Sequence, residues 1–202
     1  MKIKVLLFIV LFTSCLQNQK PALIIPDTKT DEIFTNAVNP ITDKFEVSKL
    51  RENYLSGDDF EVRVWVAVFE ADGFILRYFN KTWSAIAIKE IDCKKESYYP
   101  KDKTYKLGKF ILSAPKSGWE NTWQKLVEAG ILDLPNSNDK SYLDGIGYAV
   151  ETNQNGKYRI YFYSNPNHQK TENAERMMKI GEIIADEFGL HNFKIGSLCI
   201  AK

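Results

Sequence analysis

The chain has 202 residues, with 27 basic against 26 acidic side chains, three cysteines and two histidines. That balance leaves no cationic excess for a nucleic-acid backbone and excludes nucleic acid as the expected partner. A chain of this length buries roughly 70% of its unfolded surface as one ordinary domain, so neither a disulfide framework nor a structural metal is required.

The first four residues, Met1-Lys2-Ile3-Lys4, hold two cations and no acid, and residues 5–12 (VLLFIVLF) have no polar side chain. Such a run is far shorter than the roughly 20 apolar residues of a membrane span, so it reads as a segment that is inserted and then cleaved. Thr13 and Ser14, both small, lead into Cys15. This start resembles the lipobox of bacterial lipoproteins, where a small residue directly precedes a cysteine that is acylated and becomes the new N-terminus. The resemblance covers residues 1–15 and departs from the usual pattern in having Phe12 where leucine is customary, with Leu11 beside it. It implies a lipid on Cys15 and the membrane as a partner, since several acyl chains anchor a protein durably where one does not. Leu16 follows the cysteine instead of an aspartate, which by the same analogy goes with the outer membrane, on its periplasmic side. The alternative is an ordinary secretory signal with an incidental cysteine, but no A-x-A-like cleavage site accompanies it. The rest of the chain has the general look of small bacterial lipoproteins, and that resemblance brings no activity with it.

Residues 16–30 mix amides, prolines and small polar groups around the clump Leu23-Ile24-Ile25 and read as a tether, leaving 31–202 as a single domain. Within it, Asn39-Pro40 at one end and Gly57 at the other bracket an expected helix over 39–56. From Asp59 the apolar period changes to two, with Val62, Val64, Val66 and Val68 on one face and Arg63, Trp65, Ala67 and Phe69 on the other, a long strand. Glu70-Ala71-Asp72-Gly73 is a turn signal, and 74–80 and 82–91 continue as strands, with a fourth short one expected over 107–112. Three or four antiparallel strands in a meander are the simplest reading.

Ser117 and Glu120 have capping-box spacing at the start of a helix whose apolar face is Trp119, Trp123, Leu126 and Val127. Gly130 followed by Ile131 suits a left-handed C-terminal cap. The tryptophan pair is expected in the core, with a carbohydrate-stacking platform as the lesser alternative. Residues 144–163 read as a hairpin, with strands 145–152 and 157–163 closed by a three-residue loop of Gln154, Asn155 and Gly156. That loop pairs Asn153 with Lys157 and Val150 with Ile160, and collects Ile146, Tyr148, Val150, Tyr158, Ile160 and Phe162 on one apolar face. A two-residue Asn-Gly loop would set Glu151 against Ile160 and mix the faces. On the chosen register Glu151, Arg159, Tyr161 and Tyr163 form a candidate binding surface beside Gly147 and Ala149, with a cross-strand Glu151–Arg159 pair as the plainer explanation. Residues 171–188, ending at Gly189, form a packing helix through Met177, Ile180, Gly181, Ile184 and Phe188. The expected fold is therefore α+β, a mainly antiparallel sheet with helices packed on one face.

No H-E-x-x-H, G-x-S-x-G, P-loop or G-x-G-x-x-G pattern occurs, so no catalytic residue, metal site or cofactor is assigned. Cys93 and Cys199 could pair in an oxidising envelope or stand as separate thiols; spacing does not decide between these. Asp58, Asp59 and Asp144 lie beside glycines, as turn residues do, and His168 and His191 fall in loops. Two functions from different classes follow. One is a membrane-anchored binding module that is not an enzyme, of inhibitor or immunity type, with an envelope protein as partner. The other is an envelope hydrolase using the 144–168 hairpin, with Asp144, Tyr148, Glu151, Arg159, Tyr161 and His168 as its candidates.

Overall fold

The computed structural model describes residues 22–23, 38–68, 71–92, 105–137 and 147–192. Cys15, Cys93, Asp144, Ile146 and Cys199 lie outside them. The elements, in chain order, are β1 (Ala22–Leu23), α1 (Asn39–Lys44), β2 (Phe60–Val68), β3 (Ala71–Phe79), β4 (Thr82–Asp92), β5 (Tyr105–Ile111), α2 (Trp119–Glu128), β6 (Gly147–Gln154), β7 (Lys157–Ser164) and α3 (Glu172–Phe188). One sheet takes all seven strands in the order β1-β7-β6-β2-β3-β4-β5. Strands β2 to β7 pair antiparallel, and β1 pairs parallel with β7. The fold is α+β with a mainly antiparallel sheet.

Both faces of this sheet are covered. Val62, Val64, Phe74, Leu76, Tyr148, Val150, Tyr161 and Tyr163 form one core with Leu126 of α2 and Met177, Ile180 and Ile184 of α3. The opposite face packs Trp65, Ile75, Ile88, Ala149, Tyr158 and Ile160 against Val38, Phe45, Leu50 and Leu55. The two longer helices therefore share one face, while α1 and the segment after it cover the other. Alternation in β2 places each face of a strand in a separate core, and Gly73 makes room across the ladder, where a Cβ would stand 2.8 Å from Trp65 Cε3.

The helix expected over 39–56 stops at Lys44. Glu46 turns into the left-handed region at φ 50°, and only a single 3-10 turn, Leu50–Glu52, follows. The physical cause lies in the sheet, whose side chains take the carbonyls a helix would need. Arg63 Nη1 donates to Ser48 O (2.7 Å), and Asn153 Nδ2 donates to Leu50 O (3.0 Å) and Asn53 O (2.8 Å). Residues 45–56 thus run as a strap across the sheet.

Helix α2 begins without the expected capping box. Its N-cap is Gly118 and makes no side-chain bond; Glu120 instead accepts from Trp83 Nε1 (3.1 Å), and Ser117 turns to Glu187. The C-terminal end does follow the sequence. Gly130 sits at φ 95°, Ile131 N donates to Leu126 O (3.1 Å) and Gly130 N to Val127 O (2.9 Å), both bonds of a Schellman cap. Helix α3 is capped by Thr171 Oγ1, which accepts from Ala174 N (3.3 Å), and ends at Gly189 with φ 68°.

The hairpin uses the two-residue loop, not the three-residue one. Gln154 pairs with Lys157, Glu151 with Ile160 and Val150 with Tyr161, and Asn155 and Gly156 have φ of 54° and 66°, the double positive φ of a type I′ turn. The three-residue register rests on the premise that one face of the hairpin is apolar and the other wet. With both faces buried, mixing an acid among apolar neighbours is no penalty for the register as long as that acid is bonded.

Candidate functional site

The corrected register separates the residues grouped as a candidate surface. Glu151 lies on the strap-covered face, while Tyr161 and Tyr163 lie in the core of the helix-covered face. Arg159 does not meet Glu151. Its Nη1 donates to Leu132 O (2.6 Å), its Nη2 donates to the carbonyls of Asp133 and Leu134, and its guanidinium stands over the Tyr161 ring at 5.2 Å. Tyr161 Oη donates to Ile131 O (2.9 Å) and Tyr163 Oη to Pro135 O (2.8 Å). Burial raises the Tyr161 hydroxyl well above its ordinary pKa, so it acts as a neutral donor. These three side chains form a clasp on the loop that follows α2, and Asn136 Oδ1 continues it by accepting from Phe162 N (3.0 Å).

Beneath the strap lies a buried polar network. Arg63 stands directly opposite Glu151 in the β2–β6 ladder, and Glu61 opposite Arg77 in the β2–β3 ladder. Arg63 Nε donates to Glu61 Oε1 and Arg77 Nε to Glu61 Oε2, both at 2.6 Å. Glu151 accepts from Trp65 Nε1 on one oxygen and from Tyr158 Oη (2.9 Å) on the other. Burial pushes the Glu151 carboxyl above its ordinary range; Arg63 and the two hydrogen bonds pull the other way, and Glu61 adds repulsion. Arg63 Nη2 and Asn153 Oδ1 are buried with no partner. The alternating Glu61 and Arg63 of β2 are the sequence sign of this network, because charges two apart in a strand share one face.

A second cluster joins the loop before α2 to the end of α3. Glu187 Oε1 receives Lys125 Nζ (2.6 Å) and Ser117 Oγ (3.0 Å), and Glu187 Oε2 receives Ser117 N (2.8 Å). Burial alone would raise this carboxyl, but the bonds from Lys125 and Ser117 prevail and hold it down at about 2. Lys125 Nζ also reaches Ser117 Oγ at 3.3 Å, the pairing seen where a lysine activates a serine. Here the lysine is the ammonium partner of an ionised carboxylate and has no lone pair for the serine proton. The arrangement ties α2 to α3. It borders a cleft of about 480 Å³ that includes Lys125, Ala129, Lys179, Ile183 and Glu187.

Trp119 and Trp123, expected in the core, are half-buried and pack against the helix-side core from outside. Trp83 and Trp119 stack at 6.0 Å with ring planes 7° apart, and Trp123 stacks on Phe60 at 4.3 Å. Asp59 Oδ1 accepts from Asn80 N (2.9 Å), the turn role its position suggests, and His191 meets Asp186 at 2.7 Å. His168 is exposed in a 3-10 turn away from Glu151, and Tyr148 is buried with its hydroxyl pKa raised by that burial. Among the described residues no group of three His, Cys, Asp or Glu is placed to hold a metal ion, and no helix is long and apolar enough to cross a membrane. No protein family's sequence profile, no curated protein and no solved structure matches the chain.

Proposed function

We propose that the chain is a lipid-anchored module of the bacterial envelope, held at Cys15 to the periplasmic side of the outer membrane, that binds a protein or another envelope component as an inhibitor or immunity-type partner does. The anchor half of this reading rests on the cationic start, the short apolar run and Thr13-Ser14-Cys15. The binding half rests on one observation about the hairpin. Of the side chains best suited to chemistry there, Glu151, Tyr161 and Tyr163 are buried and Arg159 is half-buried, and all four are bonded to the protein itself. A meander joined to a hairpin, with the long helices on one face, then acts as a rigid scaffold whose outer surface does the recognising.

Cross-linking in intact bacterial cells followed by mass spectrometry tests the reading. A stoichiometric envelope partner is expected. A chain that stays a partnerless monomer in its own cells contradicts it.

A further inference from the structure

Strand β1 falls inside the stretch that reads as a tether, and its pairing has a direction. Ala22 pairs with Lys157 and Leu23 with Tyr158, parallel to β7. Because β7 runs away from the Asn155-Gly156 turn, a parallel strand enters the sheet at that same turn. The first described residue, Ala22, therefore stands at the turn end of the sheet. Only seven Cα-to-Cα steps separate Cys15 from Ala22 (22 − 15 = 7), a reach of at most about 25 Å even fully extended. The seven steps along β7 rise about 23 Å, so a domain turned the other way would use nearly the whole of that reach merely to run back past its own sheet.

The same end carries two of the four exposed large apolar side chains among the described residues, Tyr54 (50% exposed) and Phe79 (45%). Tyr54 lies against Gly156, where a Cβ would stand 2.6 Å from its ring, and Leu55 O accepts from Gly156 N at 2.6 Å. Phe79 begins the β3–β4 turn, which reaches this end because Tyr78 pairs with Phe60 as Gln154 does. Exposed Lys81 lies in the β3–β4 turn and exposed Lys157 follows Gly156, while Asp58 and Asp59 lead into β2 at the same end. Aromatic rings at headgroup level, with lysines whose stems lie along apolar surface and whose charges stay in water, fit a bilayer interface.

We infer that the turn end of the sheet, with Tyr54 and Phe79, rests on the lipid surface that holds the anchor. The inference rests on acylation of Cys15. It assigns the bilayer as the occupant of this face, and it leaves the opposite end, with the 3-10 turn Pro166–His168, as the end turned toward partners.

The test uses the full, lipid-processed chain with Cys93→Ser and Cys199→Ser, carrying one dye at Asp58→Cys or at Asn167→Cys. Each is reconstituted into phosphatidylethanolamine and phosphatidylglycerol vesicles that contain a headgroup-nitroxide quencher lipid. Both positions are exposed, and they lie at opposite ends of the sheet. Several-fold stronger quenching at position 58 than at 167 is expected. Tyr54→Ser with Phe79→Ser should weaken quenching at 58, and a Gly/Ser insert of about 20 residues ahead of Ala22 should even out the two positions. A chain that floats with the vesicles but quenches both dyes equally overturns the orientation alone. One that fails to float overturns the anchor and the orientation together.

Discussion

Replacing Glu151 by glutamine isolates the buried network beneath the strap. Glu151 is fully buried opposite Arg63, with one oxygen bonded by Trp65 and the other by Tyr158. Its carboxyl is raised by burial against the pull of Arg63 and the two hydrogen bonds, so the folded protein keeps this proton to higher pH than the unfolded chain does. The sign follows from proton counting. Between the ordinary carboxyl pKa and the raised folded one, the folded state binds more protons. The contribution to stability is thus fully present below the ordinary pKa and is lost as pH rises, with a limiting slope of about 1.4 kcal/mol per pH unit. Glutamine keeps the shape and an acceptor for Trp65, presents an N–H in place of the oxygen that accepts from Tyr158 Oη, and cannot titrate. Urea unfolding of both proteins from about pH 5 to pH 8 should give a free-energy difference, Glu151→Gln minus wild type, that grows with pH up to that slope. A difference that is constant with pH, or that shrinks, refutes the reasoning.

Other perturbations test separate parts of the fold. Gly156→Ala puts a side chain at φ 66° and a Cβ 2.6 Å from the Tyr54 ring, so urea unfolding should register a loss of about 1 to 2 kcal/mol. Tyr161→Phe leaves the buried Ile131 carbonyl without its donor, costing about 1 to 3 kcal/mol, and should speed limited proteolysis in the loop after α2. Glu187→Gln acts at the acid end. The wild-type carboxyl, held at about 2, contributes stability above the ordinary carboxyl pKa and loses it as pH falls toward 2. The variant should lack that part of the acid transition when unfolding is followed by tryptophan fluorescence.

Local signals in the sequence served where one element meets one environment. Gly130-Ile131 closes α2 as its residues dictate, Thr171 and Gly189 bound α3, and the alternation of β2 marks a strand. They failed where distant residues compete for the same groups. Glu120 would close a capping box, but Trp83 brings an indole N–H to it from β4. Ser117 would cap a helix, but Glu187, 70 residues away, takes both its hydroxyl and its amide. The 39–56 segment has helical punctuation, yet its apolar residues slip out of helical phase between Phe45 and Leu50. Arg63 and Asn153 then capture its carbonyls. The hairpin register turned on one assumption, a wet face, and the strap removed it. The grouping of Glu151 with Arg159, Tyr161 and Tyr163 went with that register, since one residue of slip moves a side chain through the sheet.

Whether Cys15 carries lipid decides both the proposed address of the protein and the orientation inferred from β1. Bacterial cells producing the full chain are grown with a palmitate analogue, and wild type is compared with Cys15→Ala. Label on the wild-type chain and none on the Cys15→Ala chain is the result expected. Labelling that survives the substitution contradicts the account.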